Sequence, residues 1–429
     1  VKIAVLTFIF FSLMFSGTLL AQQTIDARGT AMAFSNAADT RGLEQVGLNP
    51  ATLALRNTYR FEFNILSINA AVRNNSFSKT QYDKYFTTGR FLDEGDKNDI
   101  LNSIPDGGLR GDVYARVNSL AFYMPYFTMS LAFLGNAFAK LPAELPDLLF
   151  NGNGDEGRQY KVGDMEGNGW GGIGILISGA YPVFEGDKYW WNNIAVGATL
   201  KLISGLGVYE IVNSEGTLYN FDRSQGRYYA RLEQEFEART AEGGKGIGFD
   251  FGAVGKFQEK WTFGITLLNI FGSIRWSGSP EKHLISIIAD SLAISETFVE
   301  TPDTVVTNID TSYSIGKFST GLPKVLDLAA AYQISPYVKL TGEYEQGLTK
   351  SIAGTTTPRF AAGAEYTQVQ VLPVRAGLSL GGRFGTSLAL GFGVNLRNWI
   401  MDLAYIAYGG VFPSSSKGIS LAFTTRLRF

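Results

Sequence analysis

Apolar and polar residues alternate with a period of two in fourteen segments of this chain, and no comparable helical pattern runs through it. In order the segments are approximately Tyr59–Val72, Val113–Tyr123, Phe127–Phe138, Trp170–Val183, Asn193–Gly205, Gly246–Phe257 and Trp261–Ile274, then Val325–Ile334, Tyr337–Gln346, Arg359–Tyr366, Val374–Leu380, Thr386–Leu396, Trp399–Tyr408 and Lys417–Phe429. Alternation at period two marks a strand with different surroundings on its two faces. The last segment shows it most plainly. Ile419, Leu421, Phe423, Leu427 and Phe429 share one face, with Thr425 its only polar member, while Ser420, Thr424, Arg426 and Arg428 share the other. Large apolar residues backed by two arginines suit hydrocarbon outside and a polar lumen inside. Most segments are near the length, about nine to eleven residues, that a tilted strand needs to cross a bilayer. An even count of such strands predicts an all-β fold, a transmembrane antiparallel β-barrel of about 14 strands.

The connections alternate in length. Short ones stand at Pro125-Tyr126, Gln258–Lys260, Ser335-Pro336 and Arg397-Asn398; the intervening ones are mostly long, about Asn74–Asp112, Ala139–Gly169, Leu206–Lys245 and Arg275–Lys324. Outer-membrane barrels sort turns this way, short on the periplasmic side and long outside, which puts Phe429 on the periplasmic side. The tryptophans fit the same scheme. Trp190 and Trp191 fall in a periplasmic turn, Trp261 and Trp399 open upward strands, and Trp170 and Trp276 close outer strand ends. All six are therefore expected at membrane interfaces.

Composition narrows the picture. The 429 residues include 50 glycines, 13% aromatics and no cysteine, which suits a membrane barrel and excludes disulfides, thiolate metal sites and lipoprotein anchoring. A formal net charge of −2 gives no basic footprint for nucleic acid. Lys2 and the apolar run Ile3 to Leu20 read as a secretory signal peptide over residues 1–21, cleaved near Ala21; a membrane helix is the competing reading. Val1 reads as an alternative start. Outer-membrane lipid and the barrel assembly machinery are the expected partners, and no cofactor is called for.

Strand parity assigns the lumen. Lys339, Thr341, Glu343 and Glu345 share one face of their strand, and Asp250 and Asp402 stand where lipid exposure would be prohibitive. With Lys201, Asp327, Arg359, Glu365, Arg375, Arg426 and Arg428, they give an interior with charges of both signs. One reading is a self-neutralising network that braces the wall; the other is a polar conduit or a surface where a plug docks. Residues 22–56 precede the first strand and are small and polar, with Gly29, Ala31, Ala33, Ala37, Ala38 and then Gly47-Leu48-Asn49-Pro50-Ala51. They are expected to fold back as a lumen plug, with Asp39, Asn49, Pro50 and Ala51 at its gate, ahead of a barrel over 57–429. A loose periplasmic arm would be as polar without needing such consistently small residues.

Candidate chemistry is sparse. His283 is the single histidine and falls in the expected outer loop Arg275–Lys324, close in sequence to Ser286 and Ser291; it reads as a solvated loop residue rather than a catalytic base. Asn151, Asn153 and Asp155 have calcium-loop spacing, but Glu156 stands where the turn needs glycine, so a polar turn is the better reading. The glycines of Gly244–Gly255 lie in a strand pattern with no helix following to receive phosphate. Two apolar stretches in the outer loops remain: Leu141, Leu145, Leu148, Leu149 and Phe150, and Leu284, Ile285, Ile287, Ile288, Leu292 and Ile294, the second at spacings an amphipathic helix could use. They either pack on one another to close the barrel top or form a landing site for a hydrophobic ligand or a partner.

The start Gly29-Thr30-Ala31, the acidic Asp39 and the motif Asn49-Pro50-Ala51 resemble the FadL-like family of outer-membrane transporters. So do Pro373-Val374-Arg375-Ala376-Gly377-Leu378, Gly391-Phe392-Gly393 and Leu403-Ala404-Tyr405. The resemblance implies an N-terminal hatch inside a fourteen-stranded barrel. It also implies passive transport of a hydrophobic small molecule, fatty-acid or hydrocarbon-like. The stretch Gly244 to Asp250 and the large first outer loop look closer to Bacteroidetes-type members, some of which serve as accessory or shuttle barrels for protein secretion and surface attachment, with a secreted protein as partner. A terminal phenylalanine in such a strand resembles the C-terminal signal of outer-membrane barrels. An open porin is a third reading.

Overall fold

The structure, a computed structural model, describes residues 25–152, 157–186, 190–221, 228–294, 306–351, 354–383 and 385–429. The expected signal peptide and the residues Asn153, Asp155 and Glu156 lie outside them. Among the described residues, seventeen strands form one sheet: β1 (Glu62–Asn74), β2 (Leu109–Met124), β3 (Phe127–Leu141), β4 (Gln159–Lys161), β5 (Glu166–Glu185), β6 (Trp191–Phe221), β7 (Tyr228–Phe257), β8 (Trp261–Ile294), β9 (Val306–Ser314), β10 (Phe318–Gly321), β11 (Val325–Ser335), β12 (Val338–Gly347), β13 (Arg359–Tyr366), β14 (Val374–Gly381), β15 (Ser387–Leu396), β16 (Trp399–Tyr408) and β17 (Gly418–Arg428). Fourteen of them close a ring. Each pairs antiparallel with its neighbour, β8 pairs with β11, and β17 returns to β1 with Ile68 opposite Phe423. The short strands β4, β9 and β10 pair with the upper parts of β6 and β8.

The alternation does what the sequence predicts. Large apolar side chains such as Phe63, Phe133, Phe251, Leu328, Phe360 and Leu421 stand exposed on the outside, while Asp250, Asp327, Glu343, Arg375, Asp402 and Arg426 are buried inside. An exposed apolar belt around a closed barrel is stable only in hydrocarbon. Thr425, the odd polar member of the outer face of β17, accepts a hydrogen bond from the indole Nε1 of Trp399 at 2.7 Å. Trp190, Trp191, Trp261 and Trp399 are exposed at the short-turn end, where amphipathic rings anchor an interface. Trp170 and Trp276 are not; they point inward and are buried in a cluster at the opposite mouth. Both occupy lumen-facing positions, so their place at a strand end did not decide their surroundings.

Most of the described residues in two expected outer loops, Leu206–Lys245 and Arg275–Lys324, are strand instead. β6, β7 and β8 run for 31, 30 and 34 residues, about three times what a bilayer crossing needs. Their upper parts, flanked by β4 and β9, rise as a sheet beyond the barrel wall, termed the fin. The stretch containing Leu284 to Ile294 is therefore extended strand, not an amphipathic helix, and His283 sits within β8. Along the outer edge of β8 the pairing passes from β11 to β10 to β9, so one descending stretch serves as three broken strands. At the first break Asn269 and Phe271 adopt positive φ, 56° each. The Leu322 N–H donates to the Gly272 carbonyl at 2.9 Å across it.

Candidate functional site

Residues 25–55 fold inside the ring. They form a short helix (Ala27–Ala31) and two 3-10 turns (Gly42–Gln45 and Pro50–Ala54), and nearly every residue is buried. Small residues let this segment approach the wall at two places where the wall is also small. On β13, β14 and β15, a Cβ on Gly363 would lie 2.5 Å from Ser35 Oγ, one on Gly377 2.3 Å from the Met32 carbonyl carbon, and one on Gly391 2.5 Å from Ala31 Cβ. On β6 and β7, Gly197 and Gly252 are cross-strand partners; a Cβ on either would meet Ala51 N at 2.5 Å or Asn49 Oδ1 at 2.1 Å. Asn49 caps the turn that follows by accepting from Ala51 N at 3.0 Å, and its amide donates to the wall carbonyl of Ala253 at 3.0 Å. The motif Asn49-Pro50-Ala51 is thus a seat against β7, with proline at the first helical position where it lacks no needed donor.

Charge holds the segment as firmly as shape. The Arg28 guanidinium binds Glu365 of β13 through two nitrogens at 2.9 and 2.7 Å, and also reaches Asp39 at 2.7 Å and Glu44 at 2.9 Å. Asp39 takes a second cation from the wall, Lys339 of β12, at 2.7 Å. Glu44 takes Arg428 of β17 at 3.0 Å, Arg428 also holds Glu62 at 2.7 Å, and Arg426 pairs with both Glu62 and Asp26. On the wall side Arg375 links Glu365 at 2.7 Å to Asp402 at 2.5 Å. Higher up, Arg359 binds Glu343 at 2.9 Å and Glu345 at 2.7 Å and donates to the carbonyls of Ala33 and Phe34 at 2.9 and 3.2 Å.

Burial alone would raise the carboxyls of the segment. Arg28, Arg428 and Arg426 overcome it at Glu44, which is lowered from 4.5 to about 2. Against the same burial, Lys339, Arg41 and Arg28 hold Asp39 well below the usual carboxylate range. Both therefore stay ionised at neutral pH.

Beyond this network the interior changes character. Toward the long-loop mouth, Trp170, Ile203, Val208, Ile274, Trp276 and Leu322 form a buried apolar cluster, with the two indoles edge to face at 6.5 Å. Trp276 donates its Nε1 proton to Thr320 at 2.8 Å. Gly205, Gly244 and Gly246 make room for it and Ile274: a Cβ on each would come within 2.5 to 2.7 Å of those side chains. Beside the cluster, Lys201 pairs with Asp250 at 2.8 Å and donates to Asn269 at 2.7 Å, at the broken part of β8.

The expected lumen residues Asp250, Lys339, Glu343, Glu345, Arg375, Asp402, Arg426 and Arg428 all face inward, most of them in one network with Asp39. The apolar stretches do not converge. Leu145 and Leu148 lie on a helix (Glu144–Asn151) and pack with Tyr160, Val162 and Leu218, while Leu149 is exposed. Leu284 and Ile288 lie on one face of the fin and Ile285 and Ile287 on the other. Leu292 lies in β8 with its side chain outside the described residues. His283 bonds Ser312 of β9 at 2.8 Å and Thr240 of β7 at 3.0 Å; Ser286 is on the opposite face. Asn151 donates to Asp147 on its own helix. Arg28, Glu44 and Glu62 escaped the sequence reading. A cation in a stretch of small residues, and a glutamate in register with the lumen face of β1, were the signals available.

Residues 50–401 match the model of a family described as a family of unknown function (DUF5723). The chain belongs to that family. No curated protein matches it. Among solved structures it is similar to the toluene transporter TbuX of Ralstonia pickettii, at 14% identity and a TM-score of 0.52, covering 96% of this chain and 99% of that one. It is also similar to the toluene transporter TodX of P. putida, at 10% and 0.52 over 96% and 99%. A FadL homologue of Pseudomonas aeruginosa aligns at 13% and 0.51 over 96% and 100%. At these identities the likeness establishes the fold, a FadL-like transmembrane barrel.

Proposed function

We propose that this DUF5723 member is an outer-membrane conduit for passive movement of a hydrophobic small molecule, hydrocarbon or fatty-acid in character, with residues 25–55 as its plug. The observation that carries the reading is the way the plug is seated. It crosses the lumen on glycine platforms and ion pairs, tied covalently to the wall only by the chain's own continuation into β1 among the described residues, beneath a mouth lined by Trp170 and Trp276. A hydrophobic molecule entering from the long-loop side would meet that apolar cluster first and the seated plug next. The toluene transporters that share the fold favour the same cargo class. The short-turn end, with its tryptophans and Phe429, then faces the periplasm.

The absence of cysteine makes the test clean. Ser35 Oγ of the plug lies 2.6 Å from Thr341 Oγ1 of β12, so Ser35→Cys with Thr341→Cys creates a unique pair able to tie plug to wall. Oxidised protein is expected to block uptake of labelled toluene or oleate into outer-membrane vesicles, and dithiothreitol to restore it. Equal uptake by oxidised and reduced protein would remove the plug from the mechanism. Failure of wild-type protein to raise uptake of either probe above empty vesicles would remove the transport reading.

A further inference from the structure

The two edges of the fin are finished differently. On the β6 side the chain covers itself: β4 pairs with Thr217 to Tyr219, and the helix Glu144–Asn151 packs over that strand through Leu145 and Leu148. On the other side β9 pairs only with β8 among the described residues, and it ends the sheet. Residues 307–314 are exposed on both faces. An open edge offers a row of unpaired N–H and C=O groups, and proteins ordinarily blunt such edges with charged side chains (lysine above all), proline, a bulge or shortness. Of these β9 has a single charge, Asp310. It runs nine residues, its ladder with β8 has no register shift, and its sequence Val-Thr-Asn-Ile-Asp-Thr-Ser-Tyr-Ser contains neither lysine nor proline.

We infer that β9 is a docking edge on which an extended segment of another polypeptide adds as the next strand of the fin. Main-chain bonds supply the attachment, and the side chains of β9 set what fits. Thr307, Ile309, Thr311 and Tyr313 share one face, continuing the row of Ile288, Ser286, Leu284 and Lys282 on β8. Asn308, Asp310 and Ser312 share the other. The segment that fits places β-branched or aromatic residues at alternate positions beside the first set, and hydroxyl or cationic residues beside Asp310. A second copy of this chain fits badly. Two barrels inserted the same way in one membrane are related by an axis along the bilayer normal. That axis runs their edge strands in the same direction, with the same edge of each strand facing the other, so the antiparallel ladder cannot form. With the short-turn end facing the periplasm, as proposed above, the occupant is a polypeptide at the cell surface. This inference does not depend on the transport reading, because neither the plug nor the mouth takes part.

The test uses the full-length barrel in nanodiscs and a short peptide alternating threonine with valine or isoleucine between terminal lysines, followed by amide hydrogen exchange over residues 306–314. The outward amides of β9 are expected to exchange rapidly in the isolated barrel and to slow at least about tenfold when peptide is bound, the signature of a new ladder. Ile309→Lys with Thr311→Lys is expected to weaken binding at least about tenfold while the barrel still shows its heat-dependent gel shift. Leu149→Lys, on the covered side, is expected to leave binding unchanged. Amides already slow in the dilute isolated barrel would show that the chain covers its own edge and would overturn the inference. So would protection that grows with barrel concentration alone, peptide binding that never saturates, or binding indifferent to the lysine pair.

Discussion

The same three strands, β6, β7 and β8, live in two settings. Within the barrel wall each has lipid on one side and a charged, packed lumen on the other, and its residues alternate accordingly: Phe251 outside, Asp250 inside. In the fin both faces meet water, and the alternation loses its meaning. Leu284 and Ile288 fall on one face beside Glu237 and Glu233, Ile285 and Ile287 on the other beside Phe236 and Gln234. Glu235 of β7 even stands directly opposite Glu215 of β6, a pairing that a half-buried face would not tolerate. Period two is a signature of unlike solvents on two sides, not of strand geometry itself.

The largest effect expected from breaking the ordered side of this comparison lies at Arg28. Replacing it by methionine leaves the buried carboxylates Glu365, Asp39 and Glu44 without their shared cation. Removing one partner of a buried ion pair typically costs about 3–5 kcal/mol. Arg28→Met is expected to unseat the plug while the fourteen-strand wall survives, read as new trypsin cleavage at Arg41 with the gel shift of the folded barrel retained. Wild-type resistance at Arg41 would mean that shape alone holds the plug.

Shape comes next. Valine at Gly377 would drive its Cβ into the Met32 backbone, 2.3 Å away, and overpacking of this kind costs about 1–3 kcal/mol. Gly377→Val is expected to release the plug partially. Gly321→Ala, whose Cβ meets nothing within 4 Å, should change nothing. Equal behaviour of the two would show that the glycine platform is not a seat.

How much of this could be read from the chain follows from the same contrast. The fourteen crossing strands and the inward position of Arg375, Glu343 and Arg426 were legible because lipid permits no charge on the outer face. The buried segment 25–55 was legible as a run of small residues, and its motif Asn49-Pro50-Ala51 as a fixed turn. Its partners were not. Arg28 meets Glu365 across 337 positions of sequence, and no local pattern records which glutamate an arginine will find. The fin was lost for the opposite reason, since strands with water on both sides read as loops. Trp170 and Trp276 show a third limit: position along a strand locates a residue in depth, but only parity decides between lipid and lumen.

A smaller effect follows from pH. Glu44 is lowered to about 2 and Asp39 is also depressed, so their contribution to plug seating is full above the ordinary carboxylate range and is lost as pH falls through the folded values. Their share of the seating is expected to stay constant from pH 8 to 5 and to weaken between about 4.5 and 2. Pepsin, active in that window, should begin to cut within residues 25–55 as pH drops, with the Glu44 share of the transition absent from Glu44→Gln. Weakening that sets in above pH 5 would assign the transition to other groups.

The smallest effect belongs to the fin and sharpens the comparison most. Leu284→Asp with Ile288→Asp places two carboxylates on a face that already carries Glu233 and Glu237, beside strands that are wet on both sides. Exposed substitutions away from packed features usually change stability by no more than about 0.5 kcal/mol each, and Ile288 is already 41% exposed. The double variant is expected to keep wild-type uptake and a seated plug, because the mouth cluster around Trp276 and the ion pairs of Arg28 are untouched. Trp276→Asp, by contrast, buries a charge where the wall offers glycine and isoleucine, and is expected to suppress uptake of the same probe. Measured side by side, the two variants locate the path of a hydrophobic cargo. Loss of uptake in the fin variant with retention in the Trp276 variant would move that path from the lumen mouth onto the fin.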